Sequence, residues 1–147
     1  MALDHEIKYR AKTDEATSRL MTIPGVGPMC ATTIQAFVPP MEEFSNGREF
    51  AAWCGLVPRQ KSTGGRQILG RTSKMGQRDI RRLLIIGAMA VIRWAIRKGP
   101  PPGSWLAKML ARKARMLVAT ALTNKLARTA WALTTTKENY RIPLLAA

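Results

Sequence analysis

Apolar positions in this chain recur at helical spacing over most of its length and show no sustained two-residue alternation. The clearest run is 77–98, where Ile80, Leu83, Leu84, Gly87, Val91 and Trp94 follow the i, i+3, i+4, i+7 intervals of one buried helix face. Gly99 and Pro100, Pro101 and Pro102 terminate it. Ser104 is placed to cap a further helical stretch reaching about Leu133, with a break near residue 113. Its apolar stripe runs through Leu106, Met109, Leu110, Leu117, Ala121 and Trp131, while Lys108, Arg112, Arg115, Lys125 and Arg128 fall on the other side. Nearer the start, 16–38 reads as a short helix, the turn Ile23-Pro24-Gly25-Val26-Gly27, and a second helix opened by Pro28 and stopped by Pro39-Pro40. Ser45 is a candidate N-cap for a third short helix carrying Phe50, Ala51 and Trp53, with Gly55 as its stop.

Two ends and one internal stretch lack this pattern. Residues 1–15 are polar and read as a helix end or frayed tail, and 137–147 as a second tail. Residues 58–76 (PRQKSTGGRQILGRTSKMG) hold four glycines and five cationic side chains, which predicts a loop or a weak hairpin around Gly64-Gly65. The fold class that follows is all-α: a helix-hairpin-helix, a basic Gly-rich loop, then two or three longer packed helices.

Charge changes the picture more than composition does. Apolar residues make up 46% of the chain, enough for a core. Against that stand 24 Lys and Arg and only 9 Asp and Glu, a net charge of +15. Between residues 50 and 137 the sole acid is Asp79, beside 18 cations. A surface so one-signed calls for a polyanion, and nucleic acid is the expected partner. An anionic membrane is disfavoured, because the apolar stripes are needed to bury one another. The longest apolar run, Leu83 to Ile92, is too short to span a bilayer. Cys30, Cys54 and His5 cannot assemble a zinc site, so both thiols read as small, reduced core residues of a cytoplasmic protein.

Three features carry candidate chemistry. The Ile23–Gly27 turn brings glycine amides beside a helix N-terminus, a concavity suited to phosphate, and makes Gly25, Val26 and Gly27 candidate DNA contacts. The alternative is a plain connection that needed two glycines. The basic helical faces (Arg78, Arg81, Arg82, Arg93, Arg97; Lys108, Arg112, Arg115) suit backbone contacts, since a merely solvated face mixes both signs. In the loop, Ser62 lies between Lys61 and the Gly64-Gly65 pair, with Arg66, Arg71 and Lys74 nearby. An exposed hydroxyl with cations to steady a phosphate is what phosphoryl attack requires, although Ser-Thr-Gly-Gly is also ordinary turn chemistry. Ser73 is a second candidate, or a helix cap. Trp53, Trp94, Trp105 and Trp131 could stack on bases, but three of them fall on apolar stripes and are assigned to the core.

Taken in order, Ile23-Pro24-Gly25-Val26-Gly27, Phe44, Phe50 to Gln60, Lys61-Ser62-Thr63-Gly64-Gly65, Gly70-Arg71, Ser73 to Gly76, Arg81-Arg82-Leu83-Leu84, Ala121 to Arg128, Trp131 and Glu138 to Arg141 resemble the C-terminal domain of the IS110/IS1111 (IS116/IS110/IS902) transposases. The resemblance runs from about residue 18 to 143. It implies a DNA recombinase in two catalytic parts: an N-terminal RuvC-like domain with four magnesium-binding acids, joined through a coiled coil to a domain like this one. A serine of the latter is the nucleophile, a structured RNA guides target choice in some members, and the full-length proteins form homo-oligomers. On this sequence that serine is Ser62, with Ser73 as fallback. The implied division is 16–136 as the domain (hairpin 16–38, catalytic-type loop 58–76, helical part 77–136), with 1–15 as tail or coiled-coil end.

Nothing in these residues matches the acidic domain. Glu42, Glu43 and Glu49 read as caps and surface charge, so no cofactor is expected on these residues and magnesium would belong to the acidic partner. A serine without base or metal is a poor nucleophile. The expectation is a polypeptide that binds DNA but does not rearrange it alone. The rival reading is a non-catalytic helix-hairpin-helix module. A base-excision glycosylase is disfavoured, because 39–49 offers glutamates beside a Pro-Pro break where that family places an aspartate.

Overall fold

The computed structural model describes residues 1–56, 58–63, 66–72 and 77–141, with side chains for 1–56 and 77–141. Helices dominate: α1 (Ala2–Thr13), α2 (Glu15–Leu20), α3 (Pro28–Phe37), a 3-10 turn at Met41–Glu43, α4 (Gly47–Trp53), α5 (Arg78–Lys98), α6 (Trp105–Arg112) and α7 (Arg115–Thr136). Between α4 and α5 stand β1 (Pro58–Thr63) and β2 (Arg66–Thr72), paired antiparallel. The helical class expected from the sequence holds. Of the loop or weak hairpin expected at 58–76, the described residues form a hairpin, and the Gly64-Gly65 pair at its centre lies outside them.

The centre of the molecule is α7, packed against α5, α4, α2 and α6. Its buried positions Val118, Ala119, Leu122, Thr123, Leu126, Ala127, Ala130 and Leu133 advance mostly in steps of three or four. Three of them are alanines, which lets neighbouring backbones come close. The one buried hydroxyl among them, on Thr123, donates to the Ala119 carbonyl at 2.6 Å and so leaves no unmet polar group in the apolar centre. α5 contributes Ile80, Leu84, Ala88, Ile92 and Ala95 to the same core. Phe50 of α4 fills the space beneath, edge-on to Phe44 and stacked on Trp53.

The turn Ile23–Val26 fixes where α3 starts. The Val26 amide donates to the Ile23 carbonyl at 3.0 Å, and Gly25 has φ +95°, with Pro24 before it. These are the residue types a type II turn requires at its two central positions. The turn lies directly on α5. A Cβ on Gly87 would overlap the Gly25 carbonyl oxygen, and one on Gly25 would stand 3.0 Å from the Gly87 carbonyl oxygen. Both residues are therefore glycine because two backbones touch there.

Several local expectations are corrected. Of the helix end or frayed tail expected at 1–15, the helix is found, though not without a face to bury: α1 has 12 residues, packs on α3 and α2, and buries Ala11 fully. Its surface pairs Asp4–Lys8 and Glu6–Arg10, each 2.7 Å, add little beside that anchor. Asp14 caps α2 by accepting from the Thr17 amide, and the Thr17 hydroxyl and amide together hold its carboxyl below the usual range. The α4 cap is Asn46 and not Ser45, since the Asn46 side chain accepts from the Glu49 amide at 2.9 Å. Glu49 reaches back to the Ser45 amide, a capping box displaced by one residue. Ser104 caps α6 and the break falls at Lys113-Ala114 as anticipated. The C-terminal segment is not free up to residue 141, because the Tyr140 amide donates to the Thr22 hydroxyl at 2.8 Å. Among the described residues no helix is long and apolar enough to cross a membrane.

Gly87→Ala tests this packing against helix propensity. Alanine is the better helix former by about 1 kcal/mol, yet the overlap with Gly25 should cost about 3 kcal/mol net and lower the thermal midpoint by roughly 10 °C. A midpoint that stays or rises in a thermal scan would contradict the close approach.

Candidate nucleic-acid interface

The hairpin turn presents its polar edge through few groups. The first intrahelical bond of α3 runs from the Ala31 amide to the Gly27 carbonyl at 2.9 Å. The Met29 and Cys30 amides come before it and have no intrahelical partner, and Pro28 has no amide to spend. Gly27 itself is extended (φ −96°), and a Cβ there would meet nothing within 4 Å. This glycine therefore has no internal reason to lack a side chain, and the space in front of it is open.

The other two candidates in the turn divide. Gly25 is held by its positive φ and its contact with α5, a structural duty. Val26 is 5% exposed and its amide is spent within the turn. The concavity thus reduces to Gly27, Met29 and Cys30.

The β1–β2 hairpin carries Ser62 in β1, opposite Gln67, with Lys61 opposite Ile68 and Arg66 opposite Thr63. Register shifts between Pro58 and Gln60, a bulge near the base. Arg71 lies in β2, whereas Ser73 and Lys74 lie outside the described residues. The base of the hairpin is tied down from three helices. The Gln77 amide donates to the Trp53 carbonyl at 3.1 Å, closing its two feet together. Arg81 Nη1 donates a long 3.5 Å bond to the Cys54 carbonyl, and Asn124 Nδ2 donates to the Leu56 carbonyl at 3.0 Å.

Arg81, expected to contact DNA, is thus partly spent as a brace on the α4 end. Asn124 is the residue that sequence reasoning missed. Its signal was present, however: a poor helix former sits in the middle of α7 beside buried Thr123, where only a specific hydrogen bond explains it.

The cations behave as anticipated in one respect. Arg78, Arg82, Arg93, Arg97, Lys108, Arg112 and Arg115 are all exposed. The ion pairs among the described residues, Asp4–Lys8, Glu6–Arg10 and Glu15–Arg19, all lie in α1 and α2, away from them. Lys125 Nζ stands 4.3 Å over the Trp105 ring, and partial burial followed by the nearby Arg128 holds its pKa below the ordinary lysine value.

Two other expectations bear on chemistry. Both thiols are buried and unpaired, and desolvation pushes Cys30 up to about 11 and Cys54 to about 12, so at neutral pH they are inert packing groups. Tryptophan behaviour is mixed. Trp53 and Trp131 pack against the core, the latter donating to the Met41 carbonyl at 3.1 Å. Trp94, assigned to the core by periodicity, is 59% exposed. Its line on α5 is covered at Gly87 by the hairpin turn and lies open two turns further on.

A family model described as the IS116/IS110/IS902 family of transposases matches residues 17–100. The chain is 43% identical over 139 residues to a Pseudomonas aeruginosa protein described as a "probable family 20 transposase", covering 95% of this chain and 41% of that one. It is 38% identical to the transposase for insertion sequence element IS1111A of Coxiella burnetii, over 94% of this chain and 38% of the relative. A Yersinia enterocolitica transposase for element IS1328 is also 38% identical, over 90% and 40%. The chain thus spans about two fifths of the length of these relatives.

Asn124→Ala should cost about 1–2 kcal/mol in a denaturant titration, because it leaves the Leu56 carbonyl without its partner. Limited trypsin digestion should then cleave faster at Arg59 and Lys61. Unchanged stability and cleavage would show that this bond does not hold the hairpin's foot.

Proposed function

From a chain that belongs to the IS116/IS110/IS902 transposases, we infer a DNA-contacting module of a recombinase. The observation that carries this reading is the open face at Gly27. A glycine that the fold does not need leaves room for a phosphate, beside free amides at the start of a ten-residue helix. The exposed cations of α5 to α7, with Asp79 as the sole acid between residues 50 and 137, supply the long-range attraction. Contacts of this kind read the backbone and position the protein on DNA without reading its sequence.

Salt and one substitution test it together. Log affinity for a short duplex should fall linearly with log salt, at a slope of about −4 or steeper for five or more neutralised phosphates. Gly27→Ala should weaken binding roughly tenfold, as expected for one charge-assisted hydrogen bond displaced. Its unfolding free energy should stay within about 1 kcal/mol of the parent, because the new Cβ meets nothing. A flat salt profile, or a Gly27→Ala protein that binds as the parent does, would sink this reading.

Ser62 is proposed as the nucleophile on the hairpin. In strand transfer its hydroxyl oxygen would bond to phosphorus and give up its proton, while the bridging DNA oxygen leaves and takes up one in its place. Magnesium held by carboxylates would supply activation of the hydroxyl and neutralise charge. Among the described residues no three His, Cys, Asp or Glu side chains converge on a metal site. The acidic partner domain would hold that magnesium, and these 147 residues would bind DNA without joining it. An RNA guide and homo-oligomer formation are proposals for the longer proteins, as is placement on the bacterial nucleoid.

Ser62→Ala should leave duplex affinity within about twofold and abolish covalent protein–DNA adducts once an acidic partner domain and magnesium are supplied. Adducts that persist would move the nucleophile to Ser73. A chain whose partner-supplied reaction never yields an adduct is a binding module only. DNA joined by these residues and magnesium alone would overturn the division of labour.

A further inference from the structure

Trp94 is the one tryptophan left chiefly in solvent, and its surroundings differ from those of the other three. Trp53 stacks on Phe50, Trp131 donates to a backbone carbonyl, and Trp105 lies under the Lys125 ammonium. Trp94 is 59% exposed on a rigid 21-residue helix, so its indole is presented without the entropic cost of a mobile loop. Ile86 and Ile96 of the same helix are also exposed, but Ile96 lies on its far side and Ile86 about two turns back, so the indole stands alone among cations.

Its position on α5 is informative. Seven residues separate Gly87 from Trp94, so the two lie on nearly the same line of the helix, roughly 10 Å apart along the axis. Gly87 is where the Ile23–Val26 turn rests. To one side of that line runs the arc of Arg82, Arg93 and Arg97, all exposed. Asp79, the sole acid of this region, is about four turns back toward the start of the helix.

A second copy of the chain and a nucleic acid are two occupants that could cover an exposed indole here. A second copy of the chain would bring the same arginines against themselves across a two-fold contact, with no acid to compensate them. A polyanion carrying flat aromatic rings suits both halves of the surface at once. Arginines take its phosphates, and the indole takes a base face. Bases inside a duplex already cover one another, so the base that stacks must be unpaired.

We propose that Trp94 is a stacking platform for an unpaired nucleobase of single-stranded DNA, flanked by Arg93 and Arg97 on its backbone. This adds to the phosphate-binding turn a way to favour melted or extruded DNA, and it rests on the nucleic-acid role inferred above. The strand would run along α5 from the Gly27 face, where a phosphate is held, toward Trp94.

The test compares a single-stranded oligonucleotide with a blunt duplex of the same sequence, by fluorescence anisotropy at fixed salt. Trp94→Ala should lose roughly 5- to 150-fold in affinity for the single strand and stay within about twofold for the duplex. Trp94→Phe should recover most of the loss, because a phenyl ring still stacks. Since the side chain is largely exposed, the thermal midpoint should hardly move, which separates lost stacking from lost folding. Single-strand affinity unchanged in Trp94→Ala would overturn the proposal, as would equal losses on both substrates. A parent dimer that Trp94→Ala dissociates, with DNA binding intact, would instead assign the face to self-association. If the parent binds the duplex but shows no Trp94 dependence, only this inference fails. If it binds neither form, the proposed function fails with it.

Discussion

Everything placed in this molecule is placed relative to one backbone contact, where the Gly25 turn meets α5 at Gly87. Two carbonyl-bearing strands of chain can approach that closely only when neither carries a Cβ. The contact fixes the start of α3, and with it the direction in which the Gly27, Met29 and Cys30 amides open. It also sets how far along α5 the turn reaches. Beyond that reach the helix emerges, and Trp94 with the neighbouring arginines comes into solvent. The candidate phosphate cradle and the cationic helix are thus held in register by packing, not by charge.

Charge then works on a scaffold it does not build. The core around α7 is apolar, with Thr123 satisfied inside its own helix, and the ion pairs among the described residues sit on α1 and α2. Apart from Arg81 on the Cys54 carbonyl and Lys125 over Trp105, the cations from α5 onward repel one another and make no ion pair among the described residues. Such a surface is stable only because the core tolerates the cost, and neutralisation by a polyanion removes it. The same separation explains why Gly27 and Trp94 can be changed without touching the core, whereas Gly87 cannot.

Much of the helical framework was legible because it depends on local rules. The i, i+4 stripe of α5, the Ser104 cap, the break at Lys113-Ala114 and the Pro24-Gly25 turn all follow from residue type and spacing. On α7 the stripe expected through Leu117, Ala121 and Trp131 falls beside the buried face, and Leu117 is largely exposed. What escaped depends on partners distant in sequence. Periodicity put Gly87, Val91 and Trp94 on one face, which is correct, but a face is buried only as far as its partner extends. The α1 segment looks polar because only Ala11 is needed to anchor it. Asn46 outcompeted Ser45 as a cap because either can serve, and the chain's path decides. In the candidate site the turn was legible as a unit, while the division of labour within it was not. Gly25 and Val26 serve the fold, and Gly27 alone faces outward. Asn124 stood out as a poor helix former inside α7, but what it and Arg81 brace was not legible, because their acceptors, Leu56 and Cys54, lie 68 and 27 residues away.

The central claim is that one face, from Gly27 along α5, receives nucleic acid. Backbone amide shifts of isotope-labelled protein titrated with a short DNA duplex test it most directly. The account predicts the largest changes at Gly27, Met29 and Cys30, with smaller ones along the exposed side of α5, and none at the buried positions of α7. Changes confined to α1 and α2, with the Gly27 amide unmoved at saturation, would contradict it.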